Sequence, residues 1–467
     1  MRRFEFSEGK SNKFWEIEVS GSSFTTTHGK IGTDGRSTTK DFDSASEARK
    51  AADKLVAQKT KKGYVLVGGG GGGGGSTSSV ADARNPELEA AIAANPEDTE
   101  AYAVLADWLQ EQGHPRGELI SLHLAGKTKQ AKALFDKHAD VFLGPLAEHQ
   151  VVRDSGANNS SSALRTPAQE SAWQETQQKA FLWRNGFIHR VRLSHDIYSD
   201  EDWDGQTAEV LTEVLAHPSA RFVVEFAFQS NGDPNEDDLQ SLIDVLAKHA
   251  PASTRKITFG DNIDQISWHH TGKLGKLWPG VPNLRVLEIE SGDFEVGKMV
   301  APALERAVFI TGGLSKTCGR DLAKAQIPNI RHLEIYYGNH DYGADCTISE
   351  VRPLLARTDL PHLEYLGLEN AEFANDIARA LAGAPVLAGL KTLDLSQGTL
   401  TDEGADALVA AKASLSHLEC LDLSENFLTQ RGIQAVAGLC KQVVTSAQRE
   451  PWDWGDGELR YYVSVGE

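Results

Sequence analysis

Leu363-x-x-Leu366-x-Leu368, Leu390-x-x-Leu393-x-Leu395 and Leu418-x-x-Leu421-x-Leu423-x-x-Asn426 are three copies of one spacing. Their last leucines of the Leu-x-Leu pair, at 368, 395 and 423, recur after 27 and 28 residues. Leucines two apart share one side of an extended strand, so each copy offers a short apolar face. A unit of this length cannot bury that face alone and gains a core only by stacking on its neighbours, which makes the period the mark of a solenoid. Such a scaffold presents a wide surface to another macromolecule and shifts expectation from enzyme to binding protein.

Upstream, the same spacing is found at Ile188-x-x-Val191-x-Leu193, Val223-x-x-Phe226-x-Phe228, Thr254-x-x-Ile257-x-Phe259, Leu284-x-x-Leu287-x-Ile289, Leu304-x-x-Ala307-x-Phe309 and Ile330-x-x-Leu333-x-Ile335. With the first three, this predicts nine strands, those before residue 284 being furthest from consensus. Asp402–Val409 and Gln430–Val436 carry helical spacing between strands. The alternation resembles the ribonuclease-inhibitor-like class of leucine-rich repeats. That resemblance implies an α/β solenoid with parallel strands on a concave wall and helices outside.

In Leu-x-Leu the central residue and the one after the second leucine point away from the core. From the fourth strand onward this row holds Glu288, Glu290, Glu334, Tyr336, Glu369, Asp394 and Asp422, and no Lys or Arg. Such a face repels phosphate and favours a basic protein segment, so these seven residues are the expected protein contacts. Leu-Asp-Leu-Ser framework and simple solvation account for the same residues without a partner. Catalysis needs a pocket that desolvates a carboxylate, whereas an open wall leaves it hydrated. With no nucleophile, base and orienting group in view, and no Walker, Gly-x-Ser-x-Gly or zinc-protease pattern, no enzyme, metal or cofactor is expected.

Residues 85–180 read as a helical cap region before the solenoid at 181–467. Asn85-Pro86 is an N-cap followed by proline in the first turn, and a second helix through Leu105 and Leu109 stops near Gly113. Leu105-Ala106-Asp107-Trp108-Leu109-Gln110-Glu111-Gln112-Gly113 with Pro115-Arg116-Gly117-Glu118-Leu119-Ile120 resembles the repeat-companion segment at the head of myxobacterial and planctomycete repeat proteins. It implies a cap on the array and a bacterial source, with no activity attached. At the far end, Pro451–Gly457 reads as an exposed loop and Tyr461–Val465 as a closing strand, with Trp452 and Trp454 as alternative interface anchors.

Residues 68–84 form a linker that opens with an unbroken glycine run, Gly68–Gly75. Such a chain is a flexible coil, which separates residues 1–67 as a module. There Trp15, Ile17 and Val19 alternate on a strand, and Ser44-Ala45-Ser46-Glu47 has capping-box spacing before a helix to about Lys61. Lys13-Phe14-Trp15-Glu16-Ile17, then His28-Gly29-Lys30-Ile31-Gly32-Thr33-Asp34-Gly35, then a Lys-rich helix and Lys62-Gly63-Tyr64-Val65, resemble the WGR domain family. The resemblance implies a small β+α domain. In DNA-damage-responsive poly(ADP-ribose) polymerases it implies contact with DNA and a neighbouring domain. Here His28-Gly29-Lys30 replaces Trp-Gly-Arg, removing the indole face that stacks on a nucleotide.

The 467 residues carry a net charge of −19, but the sign is uneven. Residues 1–67 have 13 Lys/Arg against 9 Asp/Glu, leaving −23 on the rest. A polyanion therefore meets the N-terminal module first, with Lys13, His28, Lys30, Arg36 and Lys40 as candidate contacts. Gly29, Gly32 and Gly35 are expected to serve turns at positive φ. The four cysteines are dispersed and read as reduced core residues. No secretory h-region and no apolar stretch of membrane-spanning length is present, so a cytoplasmic location is expected. The sequence thus predicts a non-enzymatic adaptor or sensor, its solenoid binding a protein and its first module a second macromolecule. Nucleic-acid (DNA-end) sensing by that module, or a regulatory or substrate role in a bacterial conflict system, are the alternatives.

Overall fold

The computed structural model describes residues 2–8, 11–20, 22–33, 35–42, 45–62, 64–66, 82–149, 179–196, 203–231, 239–260, 266–453, 455 and 457–466. The glycine run, the polar tract at 155–162 and Trp454 lie outside the described residues. The chain divides into two compact units, Met1–Ser79 and Val80–Glu467.

In the first unit β1 (Arg2–Glu8), β2 (Ser11–Ser20), β3 (Ser23–Lys30) and β4 (Arg36–Asp41) form an antiparallel sheet. The helix α1 (Ala45–Lys61) and β5 (Val65–Leu66) complete it, in strand order β4-β3-β2-β1-β5. Trp15 and Ile17 point from β2 into a core with Phe4, Phe24 and Ala52 of α1, as their alternation predicts. Gly32 and Gly35 do take positive φ. Gly29 does not, and its role is close approach: a methyl there would meet Gly35 Cα at 2.8 Å and the Phe14 ring at 3.1 Å.

The second unit opens with α2 (Pro86–Ala94), capped by the Asn85 side chain accepting from Leu88 N–H, then α3 (Thr99–Glu111), α4 (Pro115–Leu124) and α5 (Thr128–Lys137). Within the second unit these helices pack directly on the first strands of the solenoid, Ile92, Tyr102, Leu109 and Ile120 sharing a core with Phe187 and Phe222. Arg116 of α4, fully buried, donates to Gly186 O at 2.6 Å and Ser219 Oγ at 2.9 Å, and its guanidinium lies 4.8 Å from the Phe187 ring centre. Gly117 has no room for a side chain, since a methyl would press on the Ala106 carbonyl oxygen at 2.5 Å. The Pro-Arg-Gly-Glu segment is thereby explained as the bolt between cap and repeats.

Strands β6 (Phe181–Arg184) and β7 (Phe187–Asp196) make an antiparallel hairpin whose turn, Asn185-Gly186, has positive φ at both residues, as a tight two-residue hairpin requires. From β7 on, the sheet is parallel. It runs through β8 (Glu225–Asn231) and β9 (Lys256–Phe259), and after β10 (His270–Lys273) through β11 (Val286–Glu290). After β12 (Asp293–Glu295), which pairs with β10 alone, it continues through β13 (Arg306–Ile310), β14 (His332–Gly338) and β15 (Tyr365–Ala371). It ends with β16 (Thr392–Asp394), β17 (Cys420–Asp422) and β18 (Val443–Val444), eleven strands in one sheet among the described residues.

All nine predicted strands are present in the predicted register. Val191 faces Phe226, then Ile257, Leu287, Ala307, Leu333, Leu366, Leu393 and Leu421 in one row, including the divergent repeats before 284. The helices Asp402–Ala410 and Gln430–Val436 lie where periodicity put them. Every side chain of that row is buried, each large one contributing roughly 2 kcal/mol by removal from water. Asn426, fully buried, closes one repeat: its Oδ1 accepts from Leu400 N–H at 2.9 Å and its Nδ2 donates to Leu395 O at 2.8 Å. Cys318 and Cys346 are buried and Cys420 and Cys440 half-buried, all as free thiols. No helix among the described residues is long and apolar enough to cross a membrane.

The chain after β18 departs from expectation. A small hairpin of β19 (Trp452–Asp453) and β20 (Leu459–Arg460) comes first. Tyr461–Val465 then adds no strand to the sheet; it passes instead along the rim formed by the turns that leave the parallel strands.

Candidate binding surfaces

The acidic row is not an open wall. Glu288, Glu290, Tyr336 and Glu369 are buried, Glu369 to 3% exposure and Tyr336 to 5%, which corrects their assignment as exposed contacts. Asp394 and Asp422 turn back on their own repeats, accepting the Ser396 and Ser424 backbone N–H at 2.8 Å each. Nor is the row without cations. One alternation upstream, Lys256 and Arg306 also face the concave side: Lys256 Nζ contacts Glu288, and Arg306 bridges Glu288 at 3.5 Å and Glu334 at 3.7 Å. His332 completes the chain at 2.8 Å from Glu334. Starting from the leucine pair missed these residues, although the same two-residue period extended backward by one step finds them.

At the centre of the wall Gly367 leaves a depression, and the Glu369 carboxylate folds over it. The Tyr365 hydroxyl donates to Asp394 Oδ2 at 2.8 Å and Glu369 Oε1 at 3.3 Å. The His332 ring stacks on Tyr365 with centres 4.0 Å apart. Burial, reinforced by the neighbouring Asp394 and Glu334 charges, raises Glu369 well above the carboxylate range. Burial likewise lifts Asp394 to about 6. The expectation of hydrated carboxylates fails here: Glu369 is buried, and that burial is the first cause of its raised proton affinity.

The N-terminal unit behaves differently. Pairing sets Lys13 opposite Lys30, Trp15 opposite His28 and His28 opposite Arg36, with Phe24 opposite Lys40. Directly paired residues share a face, so Lys13, His28, Lys30, Arg36 and Lys40 all lie on the α1 side of the sheet, and all five are exposed. Among the described residues none of the five is ion-paired with a carboxylate. Lys59 of α1, not among the expected contacts, joins them: its ammonium lies 5.3 Å from the Trp15 ring and 5.0 Å from Tyr64. Burial and the nearby charges of Lys62 and Lys13 lower its pKa. Like charges thus crowd this side of the sheet.

Family models match residues 1–70 as "WGR domain" and residues 390–409 and 414–437 as "Leucine Rich repeat". The first unit is a WGR domain, and the solenoid is built of leucine-rich repeats. Two Escherichia coli K12 proteins share the WGR segment: the uncharacterised protein YfeS, 46% identical over 63 residues, and the protein YehF, 46% identical over 65. Each match covers 14% of this chain, and the chain spans about a quarter of each relative's length, 26% and 24%. A crystal structure of a Bacteroides fragilis protein aligns over 100% of this chain and 99% of that one, at 22% identity with a TM-score of 0.49.

In this WGR domain the departure from Trp-Gly-Arg is local. Gly29 keeps its packing duty against Gly35 and Phe14, while His28 and Lys30 point to the exposed basic face. The leucine-rich unit exposes its large apolar side chains chiefly near the β19–β20 hairpin, where Trp452 is 60% exposed and Leu459, Tyr461 and Tyr462 are also exposed.

Proposed function

We propose that this chain is a non-enzymatic two-module adaptor, in which the WGR domain engages a nucleic acid and the leucine-rich unit a protein. The observation that carries the first half is the convergence of Lys13, His28, Lys30, Arg36 and Lys40 on one exposed face. The rest of the chain carries a net −23 and repels phosphate, which confines a polyanion to this face. Support for the second half comes from Trp452, Leu459 and Tyr462, a cluster of exposed apolar side chains of the kind that anchors protein interfaces. It replaces the buried acidic row as the contact surface.

The test uses the full chain. A labelled blunt-ended DNA duplex is titrated at several salt concentrations, and the chain with Trp452→Ala and Tyr462→Ala is compared with the wild type in affinity purification. Salt-sensitive duplex binding, and a protein recovered by the wild type but lost from the double variant, support the reading. No duplex binding at low salt removes the first half; equal recovery by both chains removes the second.

A further inference from the structure

We infer that the rim of the concave sheet is a docking groove for an extended peptide, and that the chain's own Ser464-Val465-Gly466 fills it in cis. The peptide it fits carries a small hydroxyl residue, a β-branched aliphatic residue and then glycine. This deepens the protein-binding half of the proposed function and rests on it.

The groove is built by repetition. Asn370, Gln397 and Glu425 stand at matching places after successive strands, and all three are held in the left-handed region, with φ of 54°, 64° and 53°. A non-glycine residue there is strained by about 1 kcal/mol or more, and the strain recurs with the repeat. These turns leave polar groups unspent by the sheet. Ser464 N–H donates to Gln397 O at 2.9 Å, and Ser464 Oγ to Glu425 Oε2 at 3.2 Å.

Asn370 then grips the main chain of Val465 from both sides. Its Nδ2 donates to Val465 O at 2.6 Å, and its Oδ1 accepts from Val465 N–H at 2.8 Å. That pair of bonds reads the backbone of an extended residue and ignores its side chain. The side chain is read separately: Val465 packs on Ile266, Val308, Ile310 and Tyr336, an apolar patch apart from the main core. Beyond it only glycine fits. A methyl on Gly466 would meet the Tyr342 ring at 2.5 Å, and one on Gly312 would strike the Gly466 carbonyl.

The arrangement has the parts of a peptide site: a backbone clamp, one aliphatic pocket and a glycine-only exit. A terminal repeat needs its open core covered, but β18 stands at that end, while Val465 lies back over β13 and β14, several repeats away. Capping does not call for that reach. The hairpin with its exposed Trp452 lies directly before the strap in sequence, so a partner seated on it can capture the strap's place. A tethered segment has an effective concentration of order millimolar, which sets the competition a partner must win.

The probe is a labelled peptide with the sequence of Tyr461–Gly466, Tyr-Tyr-Val-Ser-Val-Gly, read by fluorescence anisotropy against the full chain. Val465→Asp, which evicts the strap, is expected to bind it at least tenfold tighter than the wild type. Adding Asn370→Gly, which tolerates positive φ but deletes the clamp, is expected to reverse the gain. A peptide with aspartate in place of the valine matching Val465 is expected not to bind. A natively folded Val465→Asp chain that ignores the peptide, or binding indifferent to Asn370→Gly, overturns the inference.

Should Val465→Asp fail to fold, Gly466→Ala takes its place, and hydrogen exchange of the Ser464 and Val465 amides in the wild type supplies a second readout. Excess peptide is expected to speed their exchange; unchanged rates overturn the inference. Peptide failure alongside a partner lost with Trp452→Ala and Tyr462→Ala defeats the groove and leaves the proposed function standing. Peptide binding with no such partner does the reverse.

Discussion

The Tyr365 hydroxyl donates to Asp394 Oδ2 at 2.8 Å across two adjacent repeats, and the same hydroxyl is 3.3 Å from Glu369 Oε1. Two carboxylates thus share one neutral donor inside the wall. Burial raises both, Asp394 to about 6, so the folded state holds protons that the unfolded chain releases near pH 4. The sign follows: the contribution is full below about pH 4, and Asp394's share of it declines as pH rises through about 6. For Asp394 the loss is of order 2–3 kcal/mol. Glu369→Gln keeps an acceptor for Tyr365 and removes the buried acid. It is expected to raise the denaturant midpoint at pH 8, little at pH 4.5, and to flatten the wild-type decline between them. Parallel pH profiles for the two chains would rule out this assignment.

Arg116 is a second buried charge with a structural duty. Burial, with the nearby Arg221 charge, lowers its guanidinium to about 9, above neutrality, so it stays cationic while serving Gly186 and Ser219. Arg116→Lys cannot span both acceptors with a planar fork and is expected to cost about 2–3 kcal/mol, Arg116→Ala about 3–4. Proteolysis should then open residues 82–149 before the repeats. Wild-type resistance in both variants would remove the bolt from the account.

Asn426 tests the closure of a repeat. Its amide satisfies Leu400 N–H and Leu395 O in the dry core, and Asn426→Leu orphans both. A loss of about 2–4 kcal/mol is expected in urea unfolding, against less than about 0.5 kcal/mol for the exposed Glu419→Gln. Similar midpoints for the two variants would refute this.

The strand register was legible because Leu-x-Leu ties each side chain to a face, and the row from Val191 to Leu421 follows from that alone. What the concave face does was less legible. Its carboxylates read as free because Lys256, Arg306 and Tyr365 stand one alternation earlier, and Tyr336 read as exposed because its contact with Val465 joins distant segments. Arg116 is similar: its motif is visible, but its partners lie 70 and 103 residues downstream. Tyr461–Val465 alternates as a strand does, yet the rim turns claim its backbone first. The basic face of the WGR domain was legible residue by residue, since antiparallel pairing adds only the statement that the five share a side.

That shared side sets the last expectation. If Lys13, Lys30, Arg36, Lys40 and Lys59 neutralise about four phosphates, the logarithm of the binding constant should fall with log salt at a slope near −3 to −4. Lys13 and Lys30 face each other across β2 and β3, so Lys13→Glu with Lys30→Glu should lower that slope by about 2 and weaken binding to any sequence alike. His28→Trp restores an indole beside Lys30 without new charge. It should tighten binding to a free end by stacking, worth roughly 1–3 kcal/mol, while leaving the slope unchanged. Electrophoretic mobility shifts across a salt series separate the two effects. A slope that ignores the Lys13/Lys30 reversal would place the contact elsewhere on the chain.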